Sequence, residues 1–280
     1  MSSYLEKIGR IRAHLALEGA AGAVLSTPDN VFYATGFSSV MDGWHLVEPI
    51  AAVFVPTDAA SPVILILPEA SVISPIVSER GGHPVYFDRL ATFDMLNFCE
   101  TARAEDAHLA LPDDLLAELG DVMEQVEGQC EPDIIQTIAA SLSRHVAKGE
   151  RVLFDDLRVA ARVEALIGQA SGDALDVMFA ARAVKTADEI DTLRESGQIA
   201  DAIMGYTVSL LGVGKSWSEV EKQVAHFMID HDVDPLPGSP MLFGGAYDLV
   251  FRPDLFRTPV SRPFEGGEIA ILETQGRYKN

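Results

Sequence analysis

The chain has 280 residues, 48% hydrophobic and 22% charged, which excludes disorder over most of its length and leaves room for two domains or one large one. Asp and Glu outnumber Lys and Arg by 42 to 21, a formal net charge of −21. So acidic a chain is ill suited to nucleic acid or to an anionic membrane, both of which are held by clustered cations. The two cysteines, Cys99 and Cys130, show no Cys-x-x-Cys or Cys/His spacing. That excludes a structural zinc site and predicts buried thiols. With neither a signal-peptide start nor a run of ~18 apolar residues, the expected location is the cytoplasm.

In chain order, residues 4–19 predict a helix, with Leu5, Ile8, Ile11, Leu15 and Leu17 at helical spacing and Gly19 as its stop. Residues 22–26 predict a strand. Pro28-Asp29-Asn30 then predicts a turn, and Val31-Phe32-Tyr33 a β-prone run ending at Gly36. Strands are expected over 50–55, 63–67 and 85–87, with a helix over 69–81. Residues 93–128 predict two acidic helices around Pro112. Helix 134–147, strand 152–154 and helix 157–172 follow, with Asp155-Asp156 as the start of the last. This alternation predicts an α/β domain.

Residues 175–179 predict a short strand. Two capping boxes come next, Thr186-Ala-Asp-Glu189 and Ser216-Trp-Ser-Glu219. The first helix should run to about Leu211. The second should turn Val220, Val224, Phe227 and Met228 inward and end near His231. From Asp232 onward strand and loop are expected: 241–243, a Pro-rich 253–263, and 268–273, with a turn over 275–280. The change of pattern sets the domain boundary near residue 178.

Few residues suggest chemistry on type and spacing alone. His226 and His231 are five apart, off the i, i+4 face of a helical metal pair, and Asp232 and Asp234 precede Pro235. The expected reading is a helix C-terminus, where His sits favourably in the dipole. The Gly-rich run 238–245 lacks the Lys-Ser/Thr end of a phosphate loop, and no Gly-x-Ser-x-Gly elbow is present.

Four stretches, in order, carry a resemblance. They are Pro28-Asp-Asn30-Val-Phe-Tyr33-Ala-Thr-Gly36, Arg182-Ala-Val-Lys185 through Arg194, Gly212-Val-Gly214 through Glu219, and Gly266-Gly-Glu268 through Tyr278. Together they resemble the creatinase/aminopeptidase P/prolidase family, the pita-bread hydrolases. The resemblance implies an α/β amino-terminal domain with a mixed sheet over 1–177 and an incomplete α+β pita-bread domain over 178–280. It implies hydrolysis of a C–N bond in a small peptide or small amide substrate, with Xaa-Pro peptides as the leading class. A creatinase-like or ectoine hydrolase-like amidohydrolase, a non-catalytic scaffold derived from the family, and a small-molecule binding module are the alternatives.

The family's chemistry uses a divalent metal pair held by two Asp, one His and two Glu, which activates a water. Only Glu273 falls on a ligand position, that of the first Asp; the other four would lie beyond Asn280. The segment 246–256, where relatives usually carry a substrate-binding His, reads AYDLVFRPDLF and has none. The expectation is a fragment, unable to hold the metal pair and inactive alone. Glu273 reads as a ligand or as a hydrogen-bonded acid at a strand end. Trp44 and His45 read as a loop reaching the substrate of a neighbouring subunit, or as a hydrophobic anchor. Phe243 and Gly244 read as a substrate-pocket wall. Arg182 and Lys185 read as a domain-junction pair or, preferably, as ion pairs with the acidic surface. A homodimer is implied by the resemblance alone.

Overall fold

Helix α1 (Ser2–Leu17) buries Ile8, Ile11 and Leu15, spaced three and four apart, while Leu5 and Leu17 at the ends of the predicted stripe stay exposed. The computed structural model describes residues 2–39, 41–42, 48–95, 112–212, 214–245 and 263–278. The chain divides into two compact units, Met1–Thr186 and Ala187–Asn280.

The first unit is built on six strands: β1 (Gly22–Leu25), β2 (Ala52–Pro56), β3 (Ile64–Pro68), β4 (Arg89–Phe93), β5 (Val152–Phe154) and β6 (Ser171–Asp173). Their order is β4-β3-β2-β1-β5-β6. Pairs β1–β2 and β2–β3 are antiparallel and the remaining pairs parallel, so the sheet is mixed, as expected. Strands β1, β2, β3 and β5 are buried along their whole length, which is why they read as unbroken apolar runs. Helices α5 (Ile134–His145) and α6 (Leu157–Ile167) pack one core with Val24, Phe54 and Phe154. Helices α1, α2 (Pro28–Thr35) and α7 (Leu175–Ala183) pack another with Ala23, Val53 and Leu153. Adjacent residues of each strand therefore serve opposite faces. Two further helices, α3 (Ser74–Arg80) and α4 (Asp113–Met123), are joined by Arg80 bonding Asp114 and Glu118 at 2.8 and 2.7 Å.

Several expectations are corrected here. Residues 28–33 are not turn and strand but α2: Pro28 presets the first helical turn, and Gly36, at φ 77°, stops the helix by donating its N–H to Phe32 O. Residues 85–87 do not form a strand, because the Tyr86 N–H goes to Thr35 O at the end of α2; the sheet takes Arg89–Phe93 instead. Helix α6 stops at Gly168, φ 64°, so the polar Ser171–Asp173 is free to pair with β5. Residues 175–179 belong to α7, which buries Val177, Met178 and Ala181 at helical spacing. Since α7 packs in the first unit, the division falls after Thr186 rather than near residue 178. Cys130 is exposed rather than buried, and partial desolvation pushes its thiol up, which leaves less of it as thiolate. Cys99 lies outside the described residues.

The second unit opens with α8 (Ala187–Leu210) and α9 (Trp217–Ile229). The predicted capping box at Ser216 is present: Ser216 Oγ accepts the Glu219 N–H, and Glu219 accepts the Ser216 N–H at 2.9 Å. The Ser216 amide, helped by the Ser216 hydroxyl, holds the Glu219 carboxyl below the usual range. Val220, Val224 and Met228 turn inward onto Ile203, Leu210, Trp217 and Phe264. Strand β7 (Val233–Pro235) pairs antiparallel with β10 (Gly276–Tyr278), and β8 (Met241–Gly245) with β9 (Ile269–Glu273). Of the turn expected over 275–280, residues Gly276–Tyr278 are thus a strand. Gly276 is needed there, since a Cβ would lie 2.4 Å from Val233 Cγ1. Among the described residues no helix is long and apolar enough to cross a membrane.

Candidate functional site

In the first unit, β1 and β5 lie side by side and run parallel. From β1 the chain turns into α2 on one face of the sheet; from β5 it turns into α6 on the other. Crevices at such a reversal, beyond the carboxyl ends of the strands, are where open α/β sheets bind ligands. A cleft of about 200 Å³ opens there, lined among others by Thr27, Pro28, Phe37, Asp42, Asp156 and Arg158.

Asp155 organises the floor beside it. Its carboxylate accepts the Ser26 and Thr27 amides at 2.8 and 3.1 Å, their hydroxyls at 3.2 and 2.6 Å, and Asn30 Nδ2 at 2.9 Å. Asn30 Oδ1 in turn accepts from Arg182 at 3.1 Å, and that guanidinium lies 5.9 Å from the centre of the Tyr33 ring. Arg182 is therefore an internal brace of the first unit, and among the described residues it makes no ion pair with the acidic surface, because an uncharged amide and an aromatic face meet it. Lys185 donates to the Arg182 carbonyl. Asp156 does start α6 as expected, accepting the Arg158 N–H at 2.8 Å; its bond to the Arg158 side chain holds its carboxyl down. Sequence reasoning gave both aspartates the same task and missed the role of Asp155. The one available signal was the polar run Ser26-Thr27-Pro28-Asp29-Asn30 between two apolar stretches.

The charged groups at the rim are already engaged. Asp42 accepts the Ser39 N–H at 2.8 Å, Glu48 pairs with Arg162, and Asp156 pairs with Arg158 at 2.7 Å. Such a site can enclose an apolar body; among the described residues it does not present a nucleophile with its base. Trp44 and His45, expected to serve substrate near this loop, lie outside the described residues, as does segment 246–256.

In the second unit, Glu273 ends β9 opposite Met241, is exposed, and accepts from Gln275 Nε2 at 3.0 Å. Phe243 and Gly244 stand on β8 opposite Ile271 and Ala270. Glu221, which sequence reasoning did not single out, is half-buried on α9 and accepts the Leu242 N–H of β8 at 2.9 Å. Burial pushes its carboxyl up, against that hydrogen bond. His231 closes the end of α9: Nδ1 donates to Phe227 O at 2.8 Å and its ring stacks on Phe227 at 4.1 Å. Among the described residues no three His, Cys, Asp or Glu gather where a metal ion could be held. One exposed carboxylate does not make the donor set of a metal pair, so the described residues do not fit that group.

The whole chain compares closely with solved peptidases in architecture, though weakly in sequence. A prolidase from Thermococcus sibiricus matches over 99% of this chain and 62% of its own, at 16% identity and a TM-score of 0.62. The dipeptidase PepE from Mycobacterium ulcerans matches over 99% and 61%, at 16% identity and a TM-score of 0.63. The fold is that of the prolidases. An X-Pro aminopeptidase from Thermotoga maritima has it too, at 11% identity and a TM-score of 0.61 over 95% of this chain and 61% of its own. The chain thus spans 61–62% of the length of these three enzymes. No family model and no curated relative matches the sequence.

Proposed function

We propose that the chain is a divergent member of the creatinase/aminopeptidase P/prolidase family, carrying the framework of a Xaa-Pro peptidase-type hydrolase, and that residues 1–280 alone do not turn over substrate. The observation that carries this reading is the continuous match of 95–99% of the chain to prolidases and Xaa-Pro peptidases, across both units. The order of the four resembling sequence stretches supports it independently. The substrate class is a small prolyl peptide or small amide, and the location the cytoplasm. Glu273, exposed and bonded to a neighbouring Gln, supports the absence of turnover, because two cations need several oxygen and nitrogen donors held together.

The cleft at the β1–β5 reversal favours a second reading, a protein that binds small molecules without transforming them. Both are tested together. Purified chain is incubated with Xaa-Pro dipeptides, creatine and an N-acetylated amine, with Mn²⁺, Co²⁺ or Zn²⁺ added. Release of each product is followed, and thermal shift is recorded on the same panel. The expected result is no release with any metal. Metal-dependent release would show that the chain assembles a working centre, and the proposal of inactivity would be wrong. A ligand-specific shift without release supports the binding reading.

A further inference from the structure

The cleft at the β1–β5 reversal has fixed walls. Val31, Phe37, Ile50 and Ala51 line it and are each at most 6% exposed, so core packing sets its apolar surface. At about 200 Å³ it is somewhat larger than the roughly 150 Å³ cavity that accommodates benzene, and smaller than the ~300–1,000 Å³ pockets of drug-sized ligands. The body it suits is one ring or a short branched chain.

The polar groups of the cleft select the charge of that body. Among the described residues its lining sets three carboxylates, Asp42, Glu48 and Asp156, against the guanidinium of Arg158. Arg158 is committed: its side chain donates to the two oxygens of Asp156 at 3.1 and 2.7 Å, and swinging to an anion would strip the mostly buried Asp156 of that counter-charge. The helix ends are committed too. The Ser26 and Thr27 amides leading into α2 go to Asp155, Pro28 has no N–H to give, and the Arg158 N–H at the start of α6 goes to Asp156. Both ends that would draw an anion are met by carboxylates of the chain itself. Asp42 and Glu48 keep more of their charge for an occupant. Asp42 accepts from the uncharged Ser39 amide, and Glu48 meets Arg162 through side chains that are both about half exposed, where an ion pair is weak. A metal ion does not suit the place, since among the described residues no three His, Cys, Asp or Glu gather to hold one. Carboxylates set at the rim of an apolar hollow suit an organic cation.

We propose that the cleft of the first unit binds an organic ammonium: a protonated amine on an apolar body about the size of one ring, with the body against Val31, Phe37 and Ile50 and the ammonium at Asp42 and Glu48. This rests on the reading of the cleft as a small-molecule site and adds the charge and size of the ligand. It does not depend on hydrolytic activity.

Isothermal titration calorimetry on the full chain tests it with three probes that share one body and differ in charge: phenethylamine, phenethyl alcohol and hydrocinnamate. The amine is expected to bind about tenfold tighter than the alcohol, and the carboxylate weakest of the three. The advantage of the amine should shrink as salt rises from about 0.02 to 0.5 M. Asp42→Asn, which keeps an acceptor for the Ser39 N–H, and Glu48→Gln should each weaken the amine about fivefold and leave the alcohol unchanged. Met41→Trp, which narrows the cleft from its half-buried lining position, should weaken all three probes. Circular dichroism confirms that each variant folds; if M41W does not, the two charge variants carry the test. Three probes bound alike, or an amine indifferent to both charge variants, would overturn the proposal and leave the small-molecule reading standing. Amine binding untouched by a folded M41W would place the cation elsewhere on the acidic surface and overturn it as well. No binding by any probe would overturn both.

Discussion

Asp155 and Asp156 are neighbours with identical side chains and separate duties. Asp156 caps α6 through the Arg158 N–H, while Asp155 gathers five donors from Ser26, Thr27 and Asn30 at the start of α2. Removing a cap costs about 1 kcal/mol, whereas removing a partly buried acceptor strands every group that donated to it. Asp155→Ala is therefore expected to destabilise the first unit by about 2–4 kcal/mol and Asp156→Ala by about 1 kcal/mol, read from urea denaturation. Equal effects would mean that the hub at Asp155 carries no special weight. Neither role was separable in the sequence, because the partners of Asp155 lie more than 120 residues upstream and meet it only when β1 pairs with β5.

Elements were legible where the local signal agreed with the tertiary environment. Helix α9 announced itself through Ser216 and Glu219, and the same residues close its first turn. Strand β6 had no such signal: Ser171-Gly172-Asp173 is polar, and its pairing with β5 makes it a strand. Helix α2 read as turn and strand because β-prone Val31, Phe32 and Tyr33 outweighed Pro28 in local propensity; packing of Tyr33 and Ala34 against α1 reversed the outcome. The contact between α9 and β8 also carries a pH signature, through Glu221. Its folded carboxyl titrates above its unfolded counterpart because burial disfavours the charge. Between the two values the folded state binds more protons, so stability rises as pH falls through the folded value toward the ordinary carboxylate range. Glu221→Gln keeps an acceptor for the Leu242 N–H and removes the charge. The expected outcome is a higher melting temperature at pH 7 and loss of Glu221's part of the gain on mild acidification. An unchanged acid-side slope in the variant would sink this assignment.

At the scale of the molecule, the first unit holds a complete sheet with apolar cores on both faces, all drawn from residues within Met1–Thr186. Residues 1–186 expressed alone are expected to unfold in one cooperative urea transition, since α7, which a boundary near residue 178 would cut, comes with them whole. The shorter 1–177 is expected to be less stable, because it discards Met178 and Ala181 from the core. Equal stability of the two fragments would place the boundary near 178 after all.

By itself the sequence determined strands β1, β2, β3 and β5 and helices α1, α5, α8 and α9 in their order, since burial on a sheet or along a helix leaves a period in the chain. It also carried the resemblance on which the proposed function rests, in short stretches that keep their order. Only the tertiary structure decided that 28–35 is a helix, that 171–173 and 276–278 are strands, that Asp155 braces α2 and that Arg182 braces Asn30. Each of these depends on a partner far away in the chain, and pairing between distant residues leaves no period to read.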